Sequence, residues 1–400
     1  MVNIIKLNAA IVLATSLFGA TTAHPGEHHD VEHIKRELHT REVLATRASS
    51  SLSKCANSPK FHDLKKRAVS RRSATAERLR KERGLAADNG TYLRRRDLAT
   101  LQKYEKVNHN MTGSVNAADP SVLFSSNTSC ILTPENTIGP YYVSGELLRQ
   151  DVTEGQQGVP LHLEMQFVDV NTCEPVPDLL IDIWACNATG VYSGVDSTGE
   201  GGLNSTFLRG LQKSDEDGVA QFDTIFPGHY SGRATHEHTV VHTNASLLPN
   251  GSYTGGTVSH IGQIFFDESL RSAVESTYPY NTNTIEVLSN DDDMWAPSQA
   301  DNNYDPFPEY VYLGNDITDG LLAWISIGID PSADRDSNAT AAAYWAADGG
   351  HSTGNSVGPG GSSPSGSLPS SGSLPSSSSV LSVRDYNLKK LFGGSAHRAY

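Results

Sequence analysis

Cysteine is scarce in this chain. The four, Cys55, Cys130, Cys173 and Cys186, include no close CxxC pair, which leaves a cysteine-built zinc site without support. Beyond the first two dozen residues no stretch reaches 18 consecutive apolar residues, so no membrane-spanning helix is expected. Positive charge is in the minority, 31 Lys and Arg against 45 Asp and Glu, for a net charge of -14. That balance argues against a general nucleic-acid binder. The C-terminal end, with Lys389-Lys390-Leu391-Phe392, lacks the apolar tail of a GPI signal.

What is present reads first as an export route. Lys6 precedes an apolar core from Asn8 to Phe18, and Thr21-Thr22-Ala23 offers a small-residue cleavage site before His24. Sequons begin at Asn89, Asn110, Asn127, Asn187, Asn204, Asn244, Asn250 and Asn338. Eight of them behind such a segment predict a glycoprotein of a eukaryotic secretory pathway. The expected product is therefore secreted and extracellular, without stable membrane insertion. An oxidising compartment favours disulfides. Cys173 and Cys186 are a candidate pair across neighbouring strands, with the connectivity open.

Four regions follow from composition: a signal peptide at 1–23, a basic leader or propeptide at 24–110, a core domain at 111–335, and a Gly/Ser/Pro-rich tail at 336–400. Within 61–100 the leader carries 12 Lys or Arg against 5 Asp or Glu. Lys35-Arg36 and Lys66-Arg67 are dibasic, and Ala74 to Ala87 suits a short amphipathic helix. The leader reads as a disordered charged segment, a cleaved propeptide or a stable helical interaction arm, and the tail is expected to be flexible. The 37% apolar content suffices for one good core with length left over.

Short β-branched and aromatic runs punctuate the core: 161–170, 179–186, 219–225, 234–242, 261–266, 310–313 and 320–329. Gly, Asn, Asp and Pro turns separate them. The pattern predicts an all-β fold, a β-sandwich, rather than an α/β protein.

The most informative triplet is His236-Glu237-His238. On a strand the two imidazoles share one face and Glu237 points to the other; if that other face is core, the carboxylate needs a partner. His229 and His242 lie close by, so spacing leaves the ligands open, and a histidine-only zinc or copper site stays in play. Tyr230 lies six residues before His236, and Tyr192 lies further upstream. Phenolate suits ferric iron, which raises the question of an iron site. Taken singly, these residues have plainer readings: Tyr192 as a turn or edge aromatic, Tyr230 as packing on Pro227, Arg233 as a surface ion-pair partner, and Gln263 as a polar contact. Trp184 reads as core.

Four segments occurring in order resemble the intradiol ring-cleavage dioxygenases, and more closely their secreted fungal branch. They are Thr133-Pro134-Glu135-Asn136-Thr137-Ile138-Gly139-Pro140-Tyr141-Tyr142, Ile181 to Ser193, Tyr230 to His238, and Gly262-Gln263-Ile264-Phe265-Phe266. The resemblance spans roughly residues 130 to 330. It implies an intradiol dioxygenase-like sandwich that binds non-haem Fe(III) through Tyr192, Tyr230, His236 and His238. It implies catalytic roles for Arg233, as a charge stabiliser, and for Tyr230, as a ligand that leaves and takes a proton. It implies substrate contacts from Tyr141, Tyr142, Arg233 and Gln263. The activity implied is cleavage of a small aromatic diol by O2 between its hydroxylated carbons, giving a muconate-type diacid. A homodimer is the partner expectation. The compact spacing from Tyr230 to His236 and the charged Glu237 depart from the better-known soluble members. The alternative is a non-enzymatic, glycosylated, secreted or cell-wall β-sandwich protein.

Overall fold

Alternation of side chains along the strands decides the architecture. In β2 (Pro160–Asp169) Leu161, Leu163, Met165 and Phe167 enter the main core, while His162, Glu164 and Gln166 face the other way. In β3 (Leu180–Trp184) Ile181 and Ile183 enter that core, and Trp184 joins a second cluster on the opposite face. Each fully buried Leu, Ile, Met or Phe contributes about 1.5–3 kcal/mol.

The computed structural model describes Cys55 and residues 58–85, 107, 109–111, 138–299 and 305–355. The signal segment 1–23, Cys130, Thr133 to Thr137, the sequons at Asn89 and Asn127, and the chain beyond 355 lie outside the described residues.

Two four-stranded sheets form the sandwich. The first has the order β5 (Val219–Ile225), β2, β9 (Leu321–Ile329), β8 (Glu309–Tyr312), with β2 and β9 parallel and the other pairs antiparallel. The second is antiparallel, with the order β4 (Arg209–Lys213), β3, β6 (His236–Leu247), β7 (Tyr253–Phe265). A small third sheet pairs β1 (Val143–Ser144), β10 (Ala343–Ala346) and β11 (Gly349–Ser352). The sandwich expected from the sequence is the observed fold.

Three expectations are corrected. The helix expected at 74–87 is α1, Pro59–Glu82, starting 15 residues earlier. Pro59 suits a first helical turn, and Phe61, Leu64, Ala68, Ala76 and Leu79 recur at helical spacing and are buried. α1 covers the outer face of the first sheet: Ala76 and Leu79 pack with Val311, Leu313, Leu322 and Trp324, and Arg71 and Arg72 both reach Glu164. Residues 59–82 of the leader are thus a helical third layer of the fold rather than a disordered segment. Cys173 bonds to Cys55, across 118 residues, and not to Cys186, whose thiol is free and buried on the site-side face. Residues 343–352, expected within the tail, instead form β10 and β11, a hairpin against β1.

Candidate active site

The outer face of the second sheet carries the site. β6 runs antiparallel to β3 and β7, which sets His238 opposite Trp184 on one side and Gln263 on the other. His236, His238 and Val240 therefore face outward, and Glu237 and Val241 face the sandwich core. The two tyrosines arrive on loops that interlock. Asn187 accepts hydrogen bonds from Thr189 and Val191 through its Oδ1, tightening the turn before Tyr192. Gly190 has φ +86°, and a Cβ there would sit 2.5 Å from the His229 carbonyl oxygen. A Cβ at Gly228 would overlap the Asn187 carbonyl oxygen. Only glycine lets the two loops approach this closely.

Four side chains converge. His236 Nε2 and His238 Nε2 are 3.0 Å apart. The Nδ1 of His236 donates to the Ala234 carbonyl at 2.7 Å, so its Nε2 presents a lone pair. The Tyr192 and Tyr230 rings meet edge to face at 5.3 Å, Tyr230 lies 5.7 Å from His236, and Tyr192 lies 6.3 Å from His238. The Tyr192 hydroxyl is fully buried, with the Tyr230 phenol as its polar neighbour. Burial pushes both phenols above their ordinary range, with Arg233 opposing it at Tyr230. Burial, then His236, Arg233 and Arg209, hold His238 well below the usual imidazole range, and so neutral. Buried imidazole lone pairs facing one another, beside two buried phenols, are what a hard, highly charged cation satisfies. The donor set therefore fits ferric iron.

The other histidines are committed elsewhere. His229 contacts Glu275 at 2.7 Å and the Ile285 carbonyl at 2.9 Å, and His242 contacts Asp182 at 2.8 Å. Among the described residues no group of three or more His, Cys, Asp or Glu is placed to hold a metal ion, so a four-ligand set here needs the tyrosines.

Tyr141 stacks on Tyr192 at 4.2 Å and meets Tyr230 edge-on at 5.8 Å, forming a wall of the site. Tyr142 is drawn into another group: its ring packs on Trp184 at 5.1 Å and its hydroxyl bonds to Tyr253 at 3.2 Å. Trp184, read as core, is buried and stacks on His238 at 4.7 Å. Arg233 is fully buried; its Nη2 donates to Gln263 Oε1 at 2.6 Å and its Nε to Asp293 Oδ2 at 2.8 Å. Glu237 is 1% exposed, and neither carboxylate oxygen has a hydrogen-bond partner.

A family model described as Dioxygenase (Dioxygenase_C) matches residues 137–246. The solved intradiol ring-cleavage dioxygenase from Tetranychus urticae is 30% identical, over 52% of this chain and 98% of that one, with a TM-score of 0.44. The chain belongs to the intradiol ring-cleavage dioxygenases. Membership rests on that identity, sustained over nearly the whole of the T. urticae enzyme, and it sets aside the non-enzymatic alternative. The dioxygenase domain of a carbohydrate-binding fusion protein from Streptomyces sp. SirexAA-E is 22% identical, over 50% of this chain and 98% of that one, with a TM-score of 0.32. Catechol 1,2-dioxygenase from Pseudomonas arvilla C-1 is 21% identical, over 52% of this chain and 65% of that one, with a TM-score of 0.35. No curated protein matches.

Two residues of this intradiol dioxygenase escaped sequence reasoning. Asp293 ends an acidic triplet, Asp291-Asp292-Asp293, in which nothing marks the third member. Glu200, from the loop after Tyr192, accepts the Tyr192 backbone N–H and hydrogen-bonds the Tyr141 hydroxyl. A carboxylate eight residues beyond a tyrosine is no signal by itself.

Proposed function

We propose that this dioxygenase is an extracellular non-haem Fe(III) enzyme that cleaves catechol-type diols between the two hydroxylated carbons, giving muconate-type diacids. The observation that carries the reading is the convergence of Tyr192, Tyr230, His236 and His238, with Arg233 beside Tyr230. These four residues would hold the iron, and Tyr141, Arg233 and Gln263 would border the substrate. Ferric iron, when bound, supplies Lewis acidity and one-electron exchange with the diol and O2.

The protein's own groups supply the rest. Tyr230, the tyrosine whose phenol feels the Arg233 charge, would be the one to accept a diol proton, as the family resemblance implies. Arg233 holds fixed positive charge where negative charge builds on the ring, in a site that excludes water. Tyr141 and Tyr192, stacked in parallel, offer a flat apolar wall to an aromatic substrate. Export is supported by the signal-like first 23 residues, the sequons and the Cys55–Cys173 disulfide. A homodimer is proposed on family grounds alone.

The test is iron content, colour and oxygen uptake on the purified protein. A purple-red tyrosinate-to-Fe(III) absorption is expected, with stoichiometric O2 consumption on at least one of catechol, protocatechuate and hydroxyquinol. A colourless protein after iron loading, inert to all three, overturns the reading.

A further inference from the structure

The active-site arginine is held by a carboxylate that is itself saturated. Asp293 Oδ2 accepts from Arg233 Nε at 2.8 Å and from the Ala234 backbone N–H at 2.7 Å. Its Oδ1 accepts from the backbone N–H groups of Trp295 at 2.7 Å and Ala296 at 2.9 Å, with a longer contact of 3.4 Å to Arg233 Nη2. Both side chains of the pair are fully buried. On the other side of the guanidinium, Gln263 Oε1 takes Nη2 at 2.6 Å, and Gln263 is fixed by strand pairing opposite His238. Phe265 lies against the guanidinium at 5.9 Å.

This arrangement does two things. It fixes the plane of the guanidinium from two edges, and it ties that plane, through Ala234, to the start of the strand bearing His236 and His238. It also sets a negative charge against the arginine, so the field reaching the substrate is that of an oriented ion pair and not of a bare cation. A guanidinium so buried needs a counter-ion, but a merely structural one could sit anywhere around it. Here the carboxylate also caps the 293–296 turn and the Arg233–Ala234 segment, so arginine and ligand strand move as one unit.

We propose that Asp293 is a positioning residue for ring cleavage: it orients Arg233 and tempers its charge at the substrate. The proposal rests on the functional reading above. For Asp293→Asn, which keeps shape and loses charge, kcat is expected to fall by about tenfold to a hundredfold. Iron content and the tyrosinate absorption band should be unchanged. Binding of 4-nitrocatechol, an anionic diol probe, should be unchanged or tighter, because the arginine is less neutralised. A residue that only holds the fold would weaken turnover, colour and probe binding together. If Asp293→Asn does not accumulate as folded protein, Asp293→Glu decides, since it keeps the charge and moves it by one methylene; a tenfold loss of kcat with intact colour is expected. Turnover within twofold of the parent in the folded variant, or colour lost with turnover, overturns the proposal. A readout independent of turnover is the melting midpoint of the metal-free protein in a cycle of Asp293→Asn, Arg233→Met and the double variant. Strongly non-additive losses are expected, and additive losses overturn the pairing. If the parent protein shows neither colour nor oxygen uptake, the functional reading fails instead, and the melting cycle still reports on the pair.

Discussion

Replacing Glu164 by Gln tests whether α1 is part of the folded domain. The Glu164 carboxyl is fully buried and accepts from Arg72 Nε at 2.7 Å, from Arg71 Nε at 3.0 Å and Nη2 at 3.1 Å, and from Gln221 at 3.2 Å. Burial pushes this carboxyl up, but Arg72 and Arg71 outweigh burial and hold it at about 2, against an ordinary 4.5. At about 1.36 kcal/mol per pH unit the difference is worth about 3 kcal/mol. The folded value is depressed, so this stabilisation is fully present above pH 4.5 and is lost as pH falls toward 2. Glu164→Gln leaves two guanidinium groups facing a neutral amide under α1, and a loss of about 3 kcal/mol is expected at pH 7. For a domain of this size that lowers the melting midpoint by about 6–12 °C. If α1 releases on its own, trypsin cutting within it should accelerate by roughly two orders of magnitude. Circular-dichroism melts of parent and variant at pH 7 and pH 3, with timed proteolysis, read both effects. The gap between the two proteins should narrow at pH 3. A variant that melts within about 2 °C of the parent at pH 7 and resists trypsin equally refutes the reasoning.

Other consequences can be checked more briefly. Tyr192→Phe and Tyr230→Phe should each shift or bleach the visible band and cut turnover by at least about a hundredfold, whereas a histidine-only metal site would leave the spectrum untouched. Glu237→Leu, which removes a buried carboxylate without a partner, should hold or raise the melting midpoint of the metal-free protein; a marked fall would reveal an unrecognised role. Glycopeptide mass spectrometry of protein from a eukaryotic secretory host should find glycan at the exposed Asn244, Asn250 and Asn338 and not at Asn187, whose Nδ2 donates to Gln156 at 3.0 Å. Proteolysis after Lys66 or Arg67 should yield fragments that separate only under reduction, because Cys55 on one side of the cut is bonded to Cys173 on the other.

Strands rich in β-branched residues were legible because their burial is written in local pattern: β2, β5 and β9 match their expected runs within a residue or two. β4, with the sequence RGLQK, was not, because pairing with β3 and not side-chain propensity makes it a strand. The same holds for β10 and β11, whose Ala- and Gly-rich sequences become strands by pairing, β10 with β1 and β11 with β10. Helical spacing alone could not say that α1 reaches back to Pro59, since its polar residues, Arg71 and Arg72, are explained only by a glutamate 92 and more positions away. Spacing also favoured Cys186 over the distant Cys55 as the partner of Cys173, and the packing of α1 reverses that. At the site, the His-x-His face and both tyrosines were legible through motif order. Asp293 and Glu200 were not, because their meaning lies in which backbone amides and hydroxyls the fold brings to them.

The indole of Trp184 lies parallel to the His238 imidazole, 4.7 Å away and tilted by 6°. An emitter that close to a metal-binding ring is a built-in gauge of occupancy. Any ion absorbing in the near ultraviolet will drain its fluorescence, so loading, stripping and diol binding can be followed in real time with no label. One of the four tryptophans reports the chemistry, and Trp324, buried under α1, gives the background against which it is read.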